Sequence, residues 1–271
     1  MNAMLNGIMM NGVMNATTLN SPWLRCVRPN PHAALRLICF PHAGGNASSY
    51  AGWQRALTDE VELWAVQLPG RETRLNEATL SSWAVVLHAL LDAFIPLSAQ
   101  PCVLFGHSMG ALMAFEVARH LRRNGLPQPH GLLLSGHRAP QLPRIEDEIR
   151  HLPDDDFVRK VLALEGTQQA LADHAEFRAL WLPALRADFT LCETYTYTDE
   201  APLCCPIVAL GGVQDAKVPP SGLRAWQAQT SDVFRTHLFP GGHFYLHQQH
   251  DRFMQTLQMQ LHKLMNLQVA A

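Results

Sequence analysis

Ser108 stands in Gly-His-Ser-Met-Gly (106–110), with the apolar run CVLF (102–105) before it and the amphipathic stretch MGALMAFEVARHL (109–121) after it. A serine that opens a helix is commonly a cap, and a cap has no need of a glycine two residues away on each side. A serine on a sharp strand-to-helix turn does need them. The backbone there is strained, and small neighbours let strand and helix approach each other. The positive end of the helix also favours negative charge developing beside the hydroxyl. The chemistry that fits is nucleophilic attack on a carbonyl carbon.

A hydroxyl is a weak nucleophile until a base takes its proton. Among fourteen histidines, His243 in LFPGGHFYL follows the last expected strand on a glycine-rich loop and is the expected base. His107 adjoins Ser108 but is expected to point away from the turn. His247 and His250 follow His243, yet the stretch has neither the glutamate nor the spacing of a zinc-binding HExxH helix, so no metal is expected. Asp215 in ALGGVQDAKV lies just past a strand end, where catalytic groups gather in open α/β sheets, and is expected to steady the imidazolium. Asp188, Asp199 and Asp232 are the alternatives for that role. Serine, acid and histidine then occur in the chain order of a nucleophile-elbow hydrolase.

The loop CFPHAGGNASSY (39–50) follows the first expected strand. Its glycines let backbone N–H groups approach a bound oxygen, so the N–H groups of Ala43 and Met109 are expected to form an oxyanion hole. A tight βα connection with no further role is the plainer reading of the same glycines. Without Gly-Lys-Ser/Thr it is not a nucleotide-binding loop.

These residues require elements that hold them at one end of a sheet. LRLICF (35–40), VELWAVQ (61–67), CVLF (102–105), GLLLSG (131–136), PIVALGG (206–212) and VFRTHLF (233–239) read as strands, mostly continuous apolar runs of the kind found in parallel strands covered on both faces. Helical periodicity occupies 48–58, 79–95, 109–124, 220–229 and 244–266. The alternation predicts an α/β fold, a doubly wound, mostly parallel sheet with right-handed crossovers. About 70 residues separate the fourth and fifth of these strands, too many for a simple crossover. Helical signals at 152–166 and 174–195, apolar on more than one side, predict an inserted lid over a pocket at about 140–200, with an additional packing layer as the plainer alternative. Trp181 and Phe189 are the lid aromatics expected to face the substrate.

Composition narrows the remaining classes. The chain has 271 residues, 48% hydrophobic and 16% charged, with a formal charge of −2. No global field draws it to nucleic acid or to an anionic membrane, and no run approaches the roughly 18 apolar residues of a membrane helix. Residues 1–22, rich in Met and Asn, are expected to be a poorly ordered extension, and 23–271 a single domain. Six cysteines without CxxC or zinc spacing are expected to be reduced, buried thiols of a cytoplasmic protein.

Together the stretches FPHAGGNASSY, VQLPGRETRL, FGHSMGALMAFEVARHL, LLLSGHRAP, LPALRADFTLCETY, CPIVALGGVQDAKV and FPGGHFYL, spread over about 35–250, resemble the type II thioesterases that accompany non-ribosomal peptide and polyketide synthases. The resemblance implies an α/β-hydrolase fold with a helical lid and a triad falling on Ser108, Asp215 and His243. It implies acyl thioester substrates on the phosphopantetheine arm of acyl or peptidyl carrier domains, so that no cofactor beyond the one the substrate carries is expected. The chain is expected to act as a monomer. Arg71 and Arg74, in LPGRETRL, are either carrier-phosphate contacts or solvated surface charges. A small-ester esterase or lipase on the same scaffold, and a hydrolase-like binding protein without turnover, are the rival readings.

Overall fold

In the computed structural model, which describes residues 21–97, 100–163 and 175–266, the run Leu35–Phe40 is a strand buried at every position. Its side chains divide by parity. Ile38 and Phe40 join an apolar cluster on one side of the sheet, while Leu35, Leu37 and Cys39 join another on the opposite side. The same split holds for Leu104 against Val103 and Phe105, and for Ala209 against Val208 and Leu210. Both faces are covered, which is why these strands read as unbroken apolar runs and not as alternating ones.

Seven strands form the sheet: β1 (Leu24–Cys26), β2 (Leu35–Phe40), β3 (Val61–Val66), β4 (Cys102–His107), β5 (Gly131–Ser135), β6 (Ile207–Gly212) and β7 (Phe234–Phe239). Their order is β1-β3-β2-β4-β5-β6-β7. All neighbours are parallel except β1, which pairs antiparallel with β3, Leu24 opposite Val66. The sequence reading omits β1, because three residues with a central arginine carry no periodicity. β7 is only partly buried, as an edge strand would be.

The helices are α1 (Trp83–Phe94), α2 (Met109–Arg123), α3 (Asp154–Leu162), α4 (Ala175–Thr194), α5 (Pro220–Arg224), α6 (Tyr245–Gln248) and α7 (His250–Asn266). Three expected helices are broken, and the one expected over 79–95 runs only from Trp83 to Phe94. The 48–58 segment resolves into two single 3₁₀ turns, Ala47–Tyr50 and Trp53–Arg55, separated by Gly52. The 220–229 helix gives way to a 3₁₀ turn after Arg224, and the last helix breaks at Gln249.

Between β5 and β6, α3 and α4 build a third apolar cluster of their own, centred on Ile149, Phe157, Val158, Val161, Leu182 and Leu185. The expected helix 152–166 is described here only to residue 163, and the expected N-terminal extension lies, up to residue 20, outside the described residues. No helix among the described residues is long and apolar enough to cross a membrane.

β2 lies between β3 and β4, so the chain leaves β2 toward one edge of the sheet and later continues from β4 toward the other. This reversal makes a crevice at the carboxyl ends of β2 and β4. The loop after Phe40 and the turn at Ser108 both open into it.

Candidate active site

Ser108 has φ 55° and ψ −119°, a region that non-glycine residues avoid and that costs about 1–3 kcal/mol. It precedes α2, yet its side chain makes no capping bond to that helix. The hydroxyl is left half-buried at the crevice. Its N–H donates to the Ser135 carbonyl at 2.8 Å, tying the turn to β5.

The two glycines of the turn have distinct steric reasons. A Cβ on Gly106 would lie 2.0 Å from the Gly110 carbonyl oxygen, and one on Gly110 would lie 2.1 Å from the Phe40 carbonyl oxygen. Both obstacles are backbone, which cannot rotate aside. Gly110→Ala is therefore expected to destabilise the fold by about 3 kcal/mol or more, the upper end of overpacking effects. Thermal melting checks it, and an unchanged midpoint would show that α2 can withdraw from β2 freely.

Asp215 follows β6 and His243 follows β7, so the strand ends carry both groups to the crevice. His243 Nδ1 lies 2.6 Å from Asp215 Oδ2. The other oxygen of Asp215 accepts from the N–H groups of Lys217, at 3.0 Å, and Val218, at 3.2 Å. Burial alone would push this carboxyl up, but the hydrogen bond and charge of His243 and the two backbone N–H groups outweigh it and hold it below its ordinary value. Asp188, Asp199 and Asp232 lie elsewhere: the first is buried against Arg71, and the other two are exposed.

Ser108, Met109, Ala43 and His243 line one cavity of about 800 Å³. Met109, as the first residue of α2, has an N–H without an intrahelical acceptor, and the Ala43 N–H donates to no acceptor among the described residues. Leu185 and Phe189 of α4 line the cavity from the lid side. Trp181 does not: its ring packs against the apolar cluster between α3 and α4, so of the two expected lid aromatics only Phe189 reaches the cavity. Trp181 and Phe189 are eight residues apart, which on a helix of 3.6 residues per turn sets one about 80° around the axis from the other.

One further expectation is corrected. Arg71 and Arg74 are both buried. Arg74 is held by Glu77, at 2.6 and 2.9 Å, and by the Gln67 carbonyl, while Arg71 pairs with Asp188. Neither faces solvent or a carrier phosphate. His107 does not line the cavity; it lies behind His243, with ring centroids 5.0 Å apart. It is fully buried, its Nδ1 is 2.8 Å from Ser135 Oγ, and that hydroxyl is 2.6 Å from the Tyr245 hydroxyl. Burial, with neighbouring imidazoles, holds His107 well below its ordinary value and thus neutral. His42 across the site is likewise pushed down to about 4, mainly by burial.

Cys192 also borders the cavity, and burial pushes its thiol far up, away from a reactive thiolate. Not all cysteines are buried, since Cys204 is exposed. His247 is exposed and stacks on Phe244. Among the described residues no group of three or more His, Cys, Asp or Glu side chains is arranged to hold a metal ion.

Residues 35–262 match the thioesterase domain family. Thioesterase PikA5 of Streptomyces venezuelae is 39% identical over 229 residues, covering 84% of this chain and 81% of that protein. The RedJ thioesterase from the prodiginine pathway of Streptomyces coelicolor superposes with a TM-score of 0.78 at 39% identity, over 84% of this chain and 90% of that one. The type II thioesterase YbtT from the yersiniabactin NRPS/PKS pathway superposes with a TM-score of 0.77 at 32% identity, over 87% and 96% of the two chains.

Proposed function

This chain belongs to the thioesterase family as a type II enzyme of non-ribosomal peptide and polyketide biosynthesis, and from that premise we propose that Ser108, His243 and Asp215 hydrolyse acyl thioesters carried on the phosphopantetheine arm of a carrier domain. The observation that carries the reading is the 2.6 Å contact of Asp215 with His243, on the cavity that Ser108, Met109 and Ala43 share.

In this reading His243 takes the Ser108 proton as the hydroxyl oxygen attacks the thioester carbonyl. Negative charge that develops on the carbonyl oxygen rests on the N–H groups of Met109 and Ala43, and Asp215 holds the imidazolium. The C–S bond breaks and the proton passes from His243 to the departing thiolate. That sulfur leaves readily, because a thiol has a pKa of about 8.5. Water, deprotonated by His243, then attacks the acyl-serine; the acid leaves and Ser108 recovers its proton. The apolar walls from Leu185 and Phe189 suit an acyl chain. The enzyme needs no cofactor of its own, and we place its work in the cytoplasm, as a monomer that meets carrier domains of a synthase.

Mass spectrometry of carrier domains bearing a panel of acyl groups, before and after exposure to the protein, tests this. Loss of the acyl mass with return of the free phosphopantetheine thiol is expected. Intact acyl carriers alongside rapid cleavage of simple oxygen esters would replace the reading with a small-ester esterase. No turnover of either, with no labelling of Ser108 by a fluorophosphonate probe, would leave only a binding protein.

A further inference from the structure

Asp188 sits on α4, the helix that covers the cavity, and its carboxylate is buried. Oδ2 accepts from the Gly44 N–H at 2.7 Å and from Arg71 Nη1 at 2.7 Å, and Oδ1 accepts from Arg71 Nη2 at 2.8 Å. Arg71 Nη1 also donates to the Gly45 carbonyl at 3.0 Å. One ion pair therefore joins three separate segments: the lid helix, the loop after β3, and the loop after β2.

The grip falls on the peptides around Ala43. The Gly45 N–H donates to the His42 carbonyl at 2.8 Å. That carbonyl and the Ala43 N–H belong to the same planar trans peptide, in which they point in opposite directions. Fixing one aims the other. Arg71 holds Gly45 from its carbonyl, and Asp188 holds the next peptide through the Gly44 N–H. Gly44 has φ 77°, and a Cβ on it would lie 2.8 Å from Leu185 Cδ1, so α4 presses directly on this loop.

We propose that Asp188 and Arg71 are positioning residues: through them the lid helix holds the Ala43 N–H where the transition-state oxygen needs it. This rests on the reading above, in which Ala43 is an oxyanion donor. Asp188 neither pairs with His243 nor serves as the acid of a triad. Its neighbours on α4, Leu185 and Phe189, line the cavity, so the helix that receives the acyl chain also sets the oxyanion loop.

The test compares Asp188→Asn, Arg71→Lys and Gly44→Ala with the parent, each first shown to unfold cooperatively. The first two weaken the charged fork, and the third pushes on Leu185 while leaving the ion pair in place. Removing an oxyanion donor outright lowers kcat by about 100- to 1,000-fold, so a misplaced one is expected to lower it by about 10- to 100-fold, with KM of an acyl-pantetheine within about threefold. A trifluoromethyl ketone that adds to Ser108 should lose affinity by the same factor as kcat/KM, whereas the free acid product should not. A purely structural role would lower the melting midpoint without moving the ketone affinity. Folded variants with kcat and ketone affinity both within threefold of the parent would overturn the proposal, as would a fall in kcat with ketone affinity intact. Should Asp188→Asn fail to fold, the other two decide. A parent protein inactive on every thioester would instead remove the thioesterase reading itself, a result distinct from an active parent with indifferent variants.

Discussion

Ser108→Gly is expected to abolish thioester hydrolysis and to melt no lower than the parent protein. The activity loss follows from deleting the nucleophile: removing the serine of a comparable triad lowers turnover by about 10⁴-fold or more. The stability result follows from φ 55° and ψ −119° at this residue. Glycine relieves about 1–3 kcal/mol of backbone strain, offset by about 1 kcal/mol of extra freedom in the unfolded chain. At about 2–4 °C per kcal/mol for a chain of this size, the midpoint should lie between unchanged and several degrees higher. Ser108→Ala should lose the same activity with its midpoint little changed, because the hydroxyl caps nothing. Steady-state hydrolysis of an acyl-pantetheine and thermal melting, run on both variants, decide the matter. Activity above a hundredth of the parent's in either would remove Ser108 from the mechanism.

Asp215→Asn should lower kcat by about 10⁴-fold, the effect of the equivalent change in a serine-protease triad. The argument is one of tautomers. The Lys217 and Val218 N–H groups hold Oδ1, and an amide oxygen satisfies them equally well. The amide NH₂ then faces His243 Nδ1, which must accept, so the proton moves to Nε2 and the ring can no longer receive one from Ser108. Stability should respond with a defined sign. The parent carboxyl is held below its ordinary 3.8, so its stabilising interactions are fully present above that pH and fade as pH falls through the folded-state value. The melting-point gap between parent and Asp215→Asn is thus expected to be constant near neutrality and to close in strong acid. A variant retaining a tenth of parental kcat would contradict the assignment.

The sheet was legible wherever strands are buried on both faces, since β2, β3, β4, β5 and β6 announce themselves as apolar runs. β1 was not, being three residues long and stabilised by pairing with β3, which no local pattern reports. Helix ends were less legible than helix existence. Gly52 interrupts a stretch whose apolar spacing alone implies a continuous helix, and the helix that Pro220 opens gives way after Arg224 with no proline or glycine there to announce it. In the crevice, strand ends and loop glycines pointed to Ser108, Asp215 and His243. The surroundings were hidden. Arg71 and Asp188 are 117 residues apart in the chain, and nothing local to either marks the partner; Asp188 read as an alternative triad acid and Arg71 as a carrier-phosphate contact or a surface charge. His107 was expected only to point away from the turn, and nothing local to it announced the Ser135 hydroxyl that its ring meets.

The carboxyl-terminal half of α4 is moored at several points. Trp83 Nε1 donates to the Leu191 carbonyl at 2.6 Å, Asp188 grips Arg71, and Glu193 accepts from the Ile149 and Arg150 N–H groups at 2.8 and 3.1 Å. Pro183, upstream, removes one rung of the helical ladder. A beam fixed at one end and weakened partway along bends at the weak point. A bulky thioester that needs more room should therefore flex the segment before Pro183, while the stretch from Arg186 to Thr194 stays seated. The doorway would widen without the floor shifting.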